Sequence, residues 1–103
     1  MRISILPLFP EQFSGVFDSS IIKRARDNGH ISIEYINIRD FATDSYKSVD
    51  DRPYGGGIGM MLRVDVVDRA LQSITSKNKK SSQKIILLDP GGTVYTQNIA
   101  TRL

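Results

Sequence analysis

Three short apolar runs constrain this chain most: "ISIL" at residues 3–6, "ISIEYINI" at residues 31–38 and "IILL" at residues 85–88. Each has the length of a strand. Long stretches with helical patterning separate them, so crossovers rather than tight turns must join the strands. That order implies an α/β layer with a mostly parallel sheet. "ISIL" ends at Pro7, which cannot continue a sheet ladder. "ISIEYINI" alternates at Ile31, Ile33 and Tyr35, the period of a half-buried strand. "IILL" is apolar throughout, the pattern of a strand buried on both faces.

The segments between carry helix signals. "PEQFSGVF" from Pro10 predicts a short helix, with Pro and Glu11 suited to a first turn. In "SSIIKRARDNG", Ser19 or Ser20 can cap a helix. Ile21, Ile22 and Ala25 give it an apolar stripe, and Gly29 supplies a left-handed stop. Asp65 is expected to cap the next helix, with Asp68 three residues on in an acidic variant of the capping box. Val64, Val67, Ala70, Leu71 and Ile74 share its expected buried face. Thr96 is expected to cap a last helix bearing Ile99, Ala100 and Leu103. That helix has about two turns, no stop signal and an apolar final residue. A three-stranded parallel sheet is small and needs both faces covered. The 103 residues are therefore expected to be the front part of one larger domain.

Composition closes off several functions. Hydrophobic residues at 40% and charged residues at 24% are ordinary globular values, so an apolar core is expected. A formal charge of +3 permits a polyanionic partner without demanding one. Cysteine is absent, which excludes a disulfide framework, a thiolate zinc site and a Cys nucleophile. The single histidine, His30, excludes any site needing two; between a helix stop and a strand it reads as a surface residue. No metal site is expected. No apolar run approaches the roughly 18 residues that suggest a membrane span. The apolar N-terminus breaks at prolines and has no small-residue cleavage site, so cytoplasm is the expected compartment. Lys77, Lys79, Lys80 and Lys84 lie in "SKNKKSSQK", a basic linker expected to be solvated.

Residues 39–61 show no regular period. Loops longer than about 12–15 residues are usually functional or disordered. This one contains "VDDRPYGGGIGMM", with glycine at Gly55, Gly56, Gly57 and Gly59. Bare backbone can adopt positive φ and approach a ligand closely, and successive N–H groups can form an anion-binding concavity. The stretch is thus either a flexible hinge or a loop that receives a phosphate or a flat base. It lacks a G-x-G-x-x-G after a strand, and no Lys-Ser or Lys-Thr follows the glycines. Asp50 and Asp51 are adjacent; in an extended segment they point opposite ways, a poor shared acid/base pair. One of them is expected to cap a turn and the other to be solvated, with Arg52 able to ion-pair with either. Tyr54 can stack on a base or simply cover the loop. Met60, Met61 and Leu62 are expected in the core. "LDPGG", residues 88–92, follows the third apolar run at its C-terminal end. Open α/β sheets bind ligands beyond such ends, the alternative being an ordinary strand-to-helix turn.

These segments follow one order: "LFPE" near the N-terminus, "RA" in the first long helix, "RDF" at residues 39–41, "VDDRPYGGGIGM", and Leu88, Pro90 and Gly92 after an apolar run. In that order the chain resembles the bacterial tRNA (guanine-N1)-methyltransferases of the TrmD type, along its whole length. The "VDDRPYGGGIGM" stretch is the specific signature and the others support it. Three positions depart from the pattern: Ile58 stands where Pro is usual, Asp89 where Ser is common, and Gly91 where Gln or Arg is common.

The resemblance implies the N-terminal part of a Rossmann-like, SPOUT-type α/β domain whose trefoil knot is not completed within 103 residues. It implies methyl transfer from S-adenosyl-L-methionine to N1 of the guanine 3′ of the anticodon of a tRNA. It also implies a homodimer with the active site at the subunit interface, and no membrane. Carried over by match, Asp50, Tyr54, Gly55, Gly56, Gly57 and Gly59 would border the target guanine, with small backbone admitting a flipped-out base. Leu88, Asp89, Pro90 and Gly92 would form the first wall of the cofactor pocket. The catalytic general base, the knot-closing half and the tRNA-binding domain are expected beyond residue 103, so this chain alone is expected to be inactive. Two rivals stand beside this reading. One is a small non-enzymatic module binding nucleotide or RNA on the glycine loop; the other is an inert truncated product.

Overall fold

The computed structural model describes residues 1–75 and 82–103. Strand β1 (Arg2–Ile5) pairs in parallel with β2 (Ser32–Tyr35), from Arg2 opposite Ser32 to Ile5 opposite Tyr35. The first and second predicted strands therefore form as neighbours. Main-chain bonds lengthen the ladder at both ends: the Ser32 N–H donates to Met1 O at 2.9 Å and the Ile36 N–H to Ile5 O at 2.9 Å. On one face Glu34 gathers the sheet, accepting from Arg2 Nε and Nη2 at 3.1 and 2.8 Å and from the Ser4 hydroxyl.

The crossover between them contains a 3-10 turn at Pro10–Phe13 and helix α1 (Ser20–Asp27). Phe13 packs on Tyr35 of β2 with ring centroids 5.8 Å apart. Ser19 occupies the N-cap position, yet its side chain makes no capping bond. Arg26 instead anchors the helix start through the Phe17 carbonyl and the Asp18 carboxylate. The C-terminus is the double hydrogen-bonded stop that Gly29 predicts. Gly29 sits at φ +74, its N–H donates to Arg26 O at 3.0 Å, and the His30 N–H donates to Ala25 O at 2.9 Å. His30 is exposed, as its position implied.

Beyond β2 the aperiodic region is partly ordered. A 3-10 turn at Ile38–Phe41 is capped by Asn37, whose side chain accepts from the Arg39 N–H at 3.0 Å. A two-stranded hairpin follows, β3 (Asp50–Asp51) antiparallel to β4 (Met61–Leu62). Helix α2 (Val64–Thr75) packs on the second 3-10 turn. The core lies there. Ile38, Val49 and Val66 are buried together, with Leu6, Leu8, Phe41, Ala42 and Val67 packed around them, and Ala70 is fully buried on the same helix.

Several expectations are corrected. The buried stripe of α2 runs through Val66 and Ala70, one helical turn apart, while Val64 is 81% exposed. Val64 is the first helical residue, at the exit of the hairpin, where no element covers it. The helix begins before Asp65, so this residue lies in the first turn rather than at the cap, and Asp68 accepts from Gln72 instead of reaching back. Met60, Met61 and Leu62 are exposed, because the hairpin projects from the core instead of lying against it. The largest correction is at residues 85–88. They form no strand, and Leu87 and Leu88 are 82% and 91% exposed. A strand exists only as one side of a ladder, and among the described residues the parallel sheet has two strands, β1 and β2. An all-apolar run also needs both faces covered, and nothing described covers this one.

A turn at residues 90–92 and helix α3 (Gln97–Arg102) complete the chain. Thr96 caps α3 as predicted, its side chain accepting from the Ile99 N–H. Lys77, Lys79 and Lys80 of the basic linker lie outside the described residues. Lys84 is described, and its ammonium donates to the Arg102 and Leu103 carbonyls at 2.9 Å each.

Candidate functional site

The hairpin assembles most of the residues singled out above. Asp50 and Asp51 form β3 opposite Leu62 and Met61. Residues 52–60 make the connecting loop. The Gly56 N–H closes onto Pro53 O at 3.2 Å, which places Gly55, at φ +79, where a type II turn demands positive φ. Gly56, Gly57 and Gly59 follow at φ +80, +134 and +101. All four glycines thus occupy backbone that L-residues rarely adopt. A Cβ built on any of them meets nothing within 4 Å, so the requirement is conformational and the space before the loop is open. Tyr54 and Ile58 are fully exposed within it.

Asp51 accepts the N–H of its neighbour Arg52 at 2.7 Å, a contact that closes no turn, and both Asp50 and Asp51 are exposed. Adjacent on a strand, they face opposite sides of the hairpin. Among the described residues Arg52 forms no ion pair with either.

The root of the hairpin is held by Arg63 and Arg69, which sequence reasoning passed over, and by Asp65, which it read only as a helix cap. The Arg63 N–H donates to the carbonyl of buried Val49 at 2.7 Å, one step beyond the β3–β4 ladder. The Arg63 guanidinium reaches Asp65 at 3.4 and 3.3 Å, and Arg69 reaches the same carboxylate at 3.2 Å. Arg69 Nε also donates to Phe41 O at 2.9 Å. Desolvation pushes the Asp65 carboxyl upward, but the hydrogen bonds and charges of Arg69 and Arg63 outweigh it and hold the pKa below the usual value. Asp44, just upstream, is also held low. Its carboxylate accepts from the Ser48 hydroxyl at 2.7 Å and the Ser48 N–H at 2.9 Å, and Arg63 adds a weaker charge effect. The Asp65–Arg69 spacing of four residues on a helix was the available signal.

The second candidate segment is a separate turn. The Gly92 N–H donates to Asp89 O at 3.0 Å, and the Gly91 N–H donates to Asp89 Oδ2 at 2.8 Å. Here the glycines answer to space. A Cβ on Gly91 would lie 2.9 Å from that carboxylate oxygen, and one on Gly92 would lie 3.1 Å from the Asp89 carbonyl. Asp89, a departure from the usual pattern, therefore shapes the turn. Leu88 presents an uncovered apolar side chain beside it. No hydrogen bond or ion pair among the described residues joins this turn to the glycine hairpin.

The parallel β1–β2 pair with its helical crossover, and the separate glycine-rich hairpin, belong to an incomplete α/β domain of the SPOUT class, as the likeness to a solved member shows. Residues 1–103 match the model of tRNA (Guanine-1)-methyltransferase TrmD over their whole length, and the chain belongs to that family. The chain is 48% identical to the tRNA (guanine-N(1)-)-methyltransferase of Clostridium perfringens strain 13 and 46% identical to that of Carboxydothermus hydrogenoformans. Each comparison covers all of this chain, but 42% and 39% of the respective relative. The chain therefore spans about two-fifths of the length of the curated relatives it matches. The crystal structure of tRNA (m1G37) methyltransferase from Aquifex aeolicus superposes with a TM-score of 0.70 at 31% identity, over 78% of this chain and 36% of that one.

Proposed function

We propose that this chain is the N-terminal part, residues 1–103, of a SPOUT methyltransferase domain that methylates N1 of the guanine 3′ of the anticodon of a tRNA. The observation that carries the reading is the glycine hairpin. A family-specific stretch forms an exposed loop with four glycines at positive φ and open space before it. Such a loop lets a flat base lie against main chain, where any Cβ would intrude. Gly55, Gly56, Gly57 and Gly59 are assigned to the guanine, Tyr54 to stacking beside it, and Asp50 to the same edge.

Leu88, Asp89, Pro90 and Gly92 are assigned to S-adenosyl-L-methionine. The fit to one wall of an adenosyl pocket is good: Leu88 offers an exposed apolar face, and the turn is held closed by Asp89. The Gly91 and Gly92 N–H groups are already engaged by Asp89, which leaves acceptors, the exposed Asp89 carboxylate among them, as the polar atoms the turn offers. The cofactor, when bound, supplies an electrophilic methyl group on a sulfonium. The hairpin's part is to admit and orient the base, which converts an encounter into a positioned reaction. Transfer to N1 releases the N1 proton, and a general base must take it. Exposed Asp50 and Asp51 face opposite sides of the hairpin and are not given that task. A homodimer would bring a second subunit over this exposed surface, and a cytoplasmic location follows from a tRNA substrate.

The test is incorporation of labelled methyl by a full-length chain carrying these residues. Incorporation is expected into a tRNA with guanine 3′ of the anticodon and not into the same tRNA with adenine there. Equal labelling of both would refute the assignment of the base.

A further inference from the structure

The hairpin's geometry is set at its root, and the root is not part of the loop. The Arg63 N–H closes the last main-chain bond of the hairpin onto buried Val49. The Arg63 side chain then turns to Asp65 in the first turn of α2, at 3.3–3.4 Å. Asp65 is shared with Arg69, 3.2 Å away, and Arg69 crosses to the carbonyl of Phe41 at 2.9 Å. One carboxylate thus links the stem of the glycine hairpin to α2 and, through α2, to the 3-10 turn at Ile38–Phe41.

We infer that Asp65 is a positioning residue for the glycine hairpin, acting through Arg63 and Arg69 to set the angle at which the loop meets its ligand. Exposed ion pairs contribute little to stability. Asp65 is half exposed, so its role lies in direction more than in strength. The main chain of β3 and β4 pairs over two residues each, too short a ladder to fix its own orientation. Val49 anchors the β3 side in the core, but the β4 side has little hydrophobic contact, since Met61, Leu62 and Val64 are exposed. The two arginines gripping Asp65 are the remaining restraint on the β4 side. Removing it leaves the core intact, because Ile38, Val49, Val66 and Ala70 do not depend on it for burial.

The inference rests on the proposed function for its catalytic consequence but not for its structural one, and the experiment separates the two. In a full-length chain carrying these residues, Asp65→Asn and Asp65→Ala are compared with Asp65→Glu. Hydrogen exchange is read at the Arg63 and Gly56 amides of the hairpin and at the Ser32 amide of the sheet. Methyl transfer and S-adenosyl-L-methionine affinity are measured alongside. Asp65→Asn and Asp65→Ala are expected to speed exchange at Arg63 and Gly56 but not at Ser32. They should lower kcat for tRNA about tenfold, in line with the sensitivity of positioned reactions to small displacements. Cofactor affinity and the thermal midpoint should stay unchanged, and Asp65→Glu should recover most of the rate. Unchanged exchange at Arg63 and Gly56 in both variants would overturn the inference, whatever the activity. Faster exchange at Arg63 and Gly56 in the two variants, in a chain whose unmutated form shows no methyl transfer, would uphold the positioning role and refute the proposed function instead.

Discussion

Gly57 and Gly59 show what a single residue contributes here. At φ +134 and +101 each holds backbone that a β-branched residue avoids, at a cost of about 1–3 kcal/mol for holding it there. Nothing lies within 4 Å of either Cβ position, so relaxation would move the loop rather than its neighbours. In a full-length chain, Gly57→Val or Gly59→Val should abolish tRNA methylation and leave S-adenosyl-L-methionine affinity nearly intact, as read by labelled-methyl incorporation beside calorimetric titration. Parallel loss of cofactor binding would reassign the loop to the cofactor or to folding. Gly92 works by the opposite rule. Its φ is ordinary, but a side chain would press on the Asp89 carbonyl 3.1 Å away and open the turn. Gly92→Val should weaken cofactor binding more than tenfold, about 1.4 kcal/mol. Unchanged affinity in that titration would remove Gly92 from the pocket.

At the scale of elements, Asp65 joins the hairpin to α2 and Asp44 closes the segment leading into the hairpin, and the pKa of each carboxyl is depressed. Asp65 is held by Arg69 and Arg63 against its own desolvation, and Asp44 by Ser48. A carboxyl with a lower pKa in the folded state than in the unfolded one binds fewer protons when folded. Its contribution is complete above the ordinary carboxylate range and is lost as pH falls through the depressed value. Acidification below the usual Asp pKa should therefore loosen the hairpin root, whereas the Ser32 amide is held by a main-chain bond to Met1 O that does not titrate. Amide exchange at Arg63 and Ser48 should accelerate first, ahead of Ser32. Simultaneous acceleration at all three amides would show global unfolding and not a local release. Asp65 is exposed and held by charged partners, so high salt should shrink its part of the effect.

Over the whole molecule, surface is the decisive quantity. The chain exposes 8590 Å², against about 5800 Å² expected for a self-contained folded monomer of its mass. Much of the excess is apolar: residues 85–88, Val94, Tyr95 and the hairpin's Tyr54, Ile58, Met60 and Met61 are all uncovered. A ligand as large as the proposed cofactor is ordinarily enclosed on most sides, and the turn at residues 88–92 supplies one. The 103-residue polypeptide by itself should bind S-adenosyl-L-methionine too weakly for ordinary calorimetry and should self-associate. It should incorporate no methyl into a tRNA with guanine 3′ of the anticodon. Robust incorporation by the purified 103-residue polypeptide, lost in Asp50→Ala, would overturn this and make Asp50 a base.

The elements that formed as read were those governed by local chemistry. The Gly29 stop, the Thr96 cap, the pairing-competent alternation at Ile31, Ile33 and Tyr35, and the turn at Asp89–Gly92 depend on residues a few positions apart. The glycine loop was legible for the same reason, since a run of glycines announces positive φ before any fold is known. Tertiary structure decided everything that depends on a distant partner. Whether "IILL" becomes a strand rests on a neighbouring ladder, and Val66 rather than Val64 is buried because of where the hairpin delivers the helix. Met60 and Met61 are exposed because the stem leaves the core. The shared grip of Arg63 and Arg69 on Asp65 joins a hairpin, a helix and a 3-10 turn, and Arg69 reaches across 28 positions to the Phe41 carbonyl. Periodicity reports which face of an element is apolar; only the packed chain determines what that face meets.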